Sequence, residues 1–231
     1  MIAGERLASQ PLTEGATSFW PELPPFGRSR PCHSPAIVGW PTVRAEWLEG
    51  PHFYLFHRQG ERFVDSFDIA TLVLRLWLGA VMLAHGINHA RNLDGTASWF
   101  ASKGFRRARM IAGGSAFGEV AIGLGIAVGL LTAPAAAGLI ATMTVAFGSI
   151  HRFAGFFVFA RPDEGWEYVV TLAVAALVLA TIGPGSLSLD ATIGIDETLS
   201  GWLGAGIGLV GMVVGIGQLA VFWQRPAQET T

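Results

Sequence analysis

Residues 110–131 read MIAGGSAFGEVAIGLGIAVGLL, twenty-two positions among which Glu119 is the sole ionisable side chain. At ~1.5 Å per residue, a helix of this length rises about 33 Å, enough to cross a hydrocarbon core of ~30 Å. Lipid offers no hydrogen-bond partners to exposed peptide groups, so a segment crossing it must satisfy them internally as a helix. A carboxylate in such a place costs a few kcal/mol or more unless it is paired or wetted. The stretch therefore predicts a membrane-spanning helix with one polar side chain in need of company.

Four more stretches share this character, at 69–87, 133–150, 166–182 and 202–223. The one at 166–182 is a little short, which predicts a slightly buried or untilted span. Composition agrees, with 51% hydrophobic and 14% charged residues against about 25% charged in soluble domains. Mean hydropathy is +0.46. The fold predicted is all-α, a polytopic transmembrane helix bundle in a lipid bilayer. A net charge of −2, with no basic block interleaved with aromatics, gives no support for nucleic-acid binding.

Residues 1–63 differ. They hold eight of the twelve prolines, show no sustained apolar period and lack the pattern of a signal peptide. Such a segment buries too little to offset its ordering entropy, so 1–63 reads either as a disordered extension or as upstream sequence from a misassigned start. Val64-Asp65-Ser66-Phe67-Asp68 would make a natural beginning just before the first span. The basic residues then orient the bundle. Arg91, Lys103, Arg106, Arg107 and Arg109 follow the first span, Arg152 and Arg161 the third, and Arg225 the fifth. Between the fourth and fifth spans there is no Lys or Arg, only Asp190, Asp196 and Glu197. By the positive-inside rule the first and third loops face the cytoplasm of a cell whose plasma membrane the chain spans. Trp99, Trp166, Trp202 and Trp223 fall near the predicted interfaces, whereas Trp77 lies inside the first span and reads as a packing residue. Thr132-Ala133-Pro134 is read as the tight turn between the second and third spans.

Polar residues inside the spans are the functional candidates. Arg75 and Glu119 come to nearly equal depth on antiparallel helices, about 18 and 14 Å from their basic ends. The expected contact is an ion pair, either architectural or one in which Arg75 sets the proton affinity of a functional Glu119. His85 and His89 share a helical face at i, i+4, and His151 and Glu167 are expected at the same membrane level. Metal or haem ligation by this group has no further short-range ligand pair behind it, and no metal is assigned. Gly114-x-x-x-Gly118, Gly125-x-x-x-Gly129, Gly204-x-x-x-Gly208 and Gly211-x-x-x-Gly215 predict close helix contacts, within one chain or in a homo-oligomer. Gly206-Ile-Gly208-Leu-Val-Gly211 matches a dinucleotide fingerprint by accident, since it lies in an apolar span with no preceding strand. Cys32 is the single cysteine, so the spans cannot relay disulfides; redox chemistry would pass through a bound quinone, a cofactor or a partner subunit.

Arg75 through His85-Gly86, Glu119 in a glycine-rich helix, Gly165-Trp166-Glu167-Tyr168, and Gly183-Pro184-Gly185 with Ser188-Leu189-Asp190 together resemble the DoxX family. The resemblance covers about 68–190, so it implies a four-helix core over 64–190, an additional fifth helix and tail over 191–231, and no counterpart for 1–63. Members are small bacterial and archaeal membrane proteins, some similar to a subunit of thiosulfate:quinone oxidoreductase. By that resemblance Arg75, His85, Glu119, Glu167 and Tyr168 are the family-pattern positions; joined with the histidines at the shared membrane level, Glu119, Arg75 and Glu167 are candidate catalytic positions and His85, His89, His151 and Tyr168 candidate cofactor-binding ones. It implies a redox-associated membrane subunit, catalytic or not, that binds quinone or docks a soluble oxidoreductase on the loop 91–109. A small-molecule or proton-coupled transporter and a non-catalytic assembly subunit are the alternatives.

Overall fold

The computed structural model describes residues 64–159 and 164–226; the extension 1–63, with its two readings, and Arg161 lie outside the described residues. Among these, seven helices and no strand occur: α1 (Ser66–Arg91), α2 (Leu93–Ser102), α3 (Ala108–Val128), α4 (Thr132–Ser149), α5 (Glu167–Ile182), α6 (Leu189–Ile193) and α7 (Gly201–Phe222). Four of them, α1, α3, α4 and α7, are long and apolar enough to cross a membrane. The fifth apolar helix, α5, has 16 residues and rises about 24 Å, short of a full span as its sequence indicates.

The surface confirms a lipid-facing bundle. Trp202, Phe117, Trp77 and Val213 are exposed, whereas Arg75, Asp190, Glu119 and Asp68 are buried. A soluble protein does the reverse. Trp77, expected to pack inside, is 64% exposed and faces outward instead. The chain is an all-α, multi-pass membrane protein.

Two helix pairs make the bundle. α1 and α3 run antiparallel and touch where Gly79 meets Gly123 and Ala127, and Gly86 meets Ala116 and Val120; a methyl at either glycine would collide with backbone. α7 lies along α4 with Gly211 against the Ala137 carbonyl and Gly215 against Ala141 and Thr144. Gly204 and Gly208, earlier on the same stripe, approach α5 at Ala180 and Leu177. The glycine stripe of α7 is thus spent inside the chain. Gly114 and Gly118 behave differently from expectation, since nothing lies within 4 Å of where their side chains would begin.

The two ends contrast. At the acidic end, Asp190 accepts from the backbone N–H groups of Leu131 (2.7 Å) and Thr132 (2.8 Å) and from the Thr132 hydroxyl (2.7 Å). It caps α4 from a distant segment, a role that helix N-termini favour for a carboxylate. The turn is therefore Gly129–Leu131, and Thr132-Ala133-Pro134 belongs to α4. Proline is tolerated there because first-turn N–H groups have no intrahelical acceptor. At the basic end, α2 continues almost directly from α1, its N-cap Asn92 accepting from the Gly95 N–H at 2.9 Å. The chain after α2 ties to the end of α7 through Arg106 N–H to the Phe222 carbonyl and Gln224 N–H to the Gly104 carbonyl.

Candidate functional site

Helix register decides which polar residues meet. The Gly79 and Gly86 crossings oppose position 75 to 129 and positions 85–89 to 115–119. The expected Arg75–Glu119 pair does not form. The first helix runs a full turn past its apolar stretch, to Arg91, so Arg75 stands about 24 Å from that end and Glu119 only about 17 Å from the start of α3.

Arg75 instead belongs to the acidic end. Its guanidinium is fully buried against Gly129, donates through Nη2 to the Leu187 carbonyl and is attracted by Asp190. Asp68 joins this cluster, accepting the Ser186 N–H at 2.6 Å. The arrangement clamps the segment 185–190 onto α1 and the α3–α4 turn. It is architectural chemistry.

Glu119 meets other company. Ser115, one turn earlier on α3, donates its hydroxyl to Glu119 Oε1 at 2.5 Å. His89 Nδ1 lies 3.3 Å from Glu119 Oε2 and 3.4 Å from Ser115 Oγ. The carboxylate is 5% exposed and the imidazole 20%. Glu119 Oε2 has no conventional hydrogen bond among the described residues. A buried carboxylate facing an imidazole in a setting of low dielectric interacts with it more strongly than the same pair would in water.

This pair lines a cavity of about 600 Å³. Apolar packing of Leu78, Met82, Leu139, Leu172, Ala176 and Leu179 fills the bundle toward the acidic end. Toward the basic end the α1–α3 and α4–α5 pairs leave space between them. There α2 supplies Trp99 and Phe100, and Phe100 packs edge-on against both His89 and Phe105. Gly114 and Gly118 line the same cavity, which explains their open surroundings. The hydroxyls of Thr142 and Ser149 also border it but bond carbonyls on their own helix. His85 and His151 line it too, with Nδ1 of each bound to a backbone carbonyl, Val81 at 2.9 Å and Glu164 at 2.6 Å. Each Nδ1 must donate, leaving Nε2 as the ring's remaining polar atom.

Of the seven sequence candidates, Glu119, His85, His89, His151 and Tyr168 share this cavity. Arg75 does not. Glu167 also stays outside, accepting the Val158 N–H at 3.2 Å and so holding the loop before α5. Among the described residues, no three His, Cys, Asp or Glu side chains could hold a metal ion. Sequence reading missed Ser115, although its i, i+4 spacing to Glu119 is a legible signal. It also missed Trp99 and Phe100, because α2 is too short to stand out from a loop.

Comparison with known proteins adds one match. Residues 70–152 fit the family described as DoxX. That region holds Arg75, His85, His89, Glu119 and His151, and ends before Glu167 and Tyr168. No curated protein and no solved structure matches the chain.

Proposed function

As a membrane protein with a DoxX domain over residues 70–152, the chain, we propose, is a redox-associated subunit of the plasma membrane that binds a quinone in the cavity beside Glu119 and His89. One observation carries this reading: a buried carboxylate, one oxygen of which has no hydrogen bond among the described residues, borders a largely apolar, aromatic-rich cavity inside a lipid-facing bundle. The volume falls within the ~300–1,000 Å³ usual for cofactor sites. Its donor set suits a flat, weakly polar ring: Trp99, Phe100 and Tyr168 offer ring faces and edges, and His85, His89 and Glu119 offer polar contacts.

A quinone, when bound, supplies two-electron acceptance coupled to uptake of two protons. The chain's residues then have separate tasks. Glu119 and His89 hold a proton at Glu119 Oε2 or His89 Nδ1, while Ser115 keeps the carboxylate oriented. The core from Leu78 to Leu179 excludes water from the acidic end. Protons therefore exchange at the basic end, near His151. With no thiol pair in the spans, electrons come from elsewhere. The basic segment 91–109 is the proposed docking surface for a soluble oxidoreductase on the cytoplasmic side. There Arg109 is paired with Asp94 at 3.2 Å, with both side chains largely exposed. A transporter reading draws less support, because the Arg75–Glu119 polar track it requires does not form.

The test is a titration of purified protein with a short-chain quinone, read by quenching of tryptophan fluorescence, since Trp99 borders the cavity. Saturable quenching that weakens about ten-fold in Gly118→Leu supports the reading. Equal quenching of both proteins argues for unspecific partition into detergent.

A further inference from the structure

A second cavity lies on the opposite side of Met143 and Val169, open to the lipid-facing surface. It arises because α5 and α7 meet near the acidic end, where Gly204 and Gly208 contact Ala180 and Leu177, and then part toward the basic end over α4. The resulting groove has a volume of about 730 Å³. Val170 and Ala173 form one wall, Met212 and Ile216 the other, and Phe147 the floor. Along α7 it runs from Leu209 to Trp223, a rise of about 21 Å, which exceeds the ~15 Å half-thickness of the hydrocarbon core. Thr144, its one hydroxyl, is bonded to the Ile140 carbonyl at 2.7 Å.

Charge appears at the mouth alone. Arg152 lines the groove at the basic end, its guanidinium 4.5 Å from the Phe153 ring centroid and 5.5 Å from that of Trp223. Arg225 lies 4.7 Å from the same Phe153 ring. Neither arginine forms a salt bridge among the described residues, and both lie over aromatic faces. Exposed Phe156, Phe157 and Phe159 stand in the adjoining loop, as suits a headgroup boundary.

We propose that this groove holds an acyl chain of an anionic phospholipid, whose phosphate is bound by Arg152 and Arg225. An apolar slot as long as one leaflet, with Arg152 at its end and Arg225 over the neighbouring Phe153 ring, neither of them salt-bridged among the described residues, matches such a lipid in both its parts. A zwitterionic lipid would bring its own cation against the same pair. The inference is independent of the quinone reading, because the groove includes neither Glu119 nor any histidine.

Native mass spectrometry of the delipidated full chain, titrated with phosphatidylglycerol or phosphatidylcholine, tests it. One phosphatidylglycerol should bind about twenty-five-fold more tightly than phosphatidylcholine, and Arg152→Gln with Arg225→Gln should erase that preference, at about five-fold per guanidinium. Ala220→Trp, which fills the groove, should release the bound lipid. Equal binding of the two lipids by the wild type would overturn the proposal, as would a preference that survives the double substitution. Retention of phosphatidylglycerol by Ala220→Trp would also overturn it. So would displacement by inorganic phosphate at the affinity of the lipid, which would mark a free-anion site.

Discussion

Two buried acidic residues in this chain do opposite work, and their neighbours decide which. Asp190 satisfies three donors at the head of α4, so each of its oxygens is committed, and its charge attracts Arg75 without a direct salt bridge. Glu119 has one oxygen bound by Ser115 and the other only facing an imidazole. Asp190→Ala should therefore act on stability, costing about 3–5 kcal/mol because it strands a buried guanidinium as well as the cap. Thermal denaturation in detergent would show it as a large loss of melting temperature. Glu119→Gln keeps shape and the Ser115 contact but cannot release a proton. It should melt within a few degrees of the wild type while quinone-linked electron flux, measured in membranes with the partner present, falls about 10²-fold or more. A variant that unfolds with its flux would return Glu119 to architecture.

At the level of elements, glycine spacing matters less than where each glycine points. Gly86 lies against Val120 backbone, whereas Gly118 faces the cavity. Gly86→Leu should wedge α1 from α3, separate His89 from Glu119 and lower thermal stability in detergent. Gly118→Ala should leave stability within about 0.5 kcal/mol, having nothing to strike. The five apolar stretches were legible from hydropathy, because lipid imposes length and helicity on any segment that crosses it. The cluster of His85, His89, His151, Glu119 and Tyr168 was legible in part, since the three histidines were expected at one membrane level while Glu119 was expected deeper, opposite Arg75. The Arg75–Glu119 pair misled for a physical reason. Hydropathy marks where lipid contact ends, not where a helix ends, and α1 persists to Arg91 through His89, which is polar yet helical. The partnership of Arg75 with Asp190 was hidden because residues more than a hundred positions apart meet only through the fold.

Over the whole molecule, the bundle is closed at one end and receptive at the other. The acidic end is clamped by Asp68, Arg75 and Asp190, and the core behind it is dry. Toward the basic end the two helix pairs separate around a cavity, while α5 and α7 separate around a groove on the lipid side. Both openings face the end where Arg106, Arg107, Arg109, Arg152 and Arg225 gather, the end for which the positive-inside rule predicts a cytoplasmic side. On the quinone proposal, a ring-shaped ligand enters between Glu119 and the aromatic side chains of α2. Photoaffinity labelling with an azido-substituted quinone, followed by peptide mapping, tests that claim most directly. Adducts concentrated on 82–100 and 110–122, and competed by unlabelled quinone, are the predicted result. Adducts confined to lipid-facing positions such as Trp77 and Trp202, and unaffected by competitor, would contradict it.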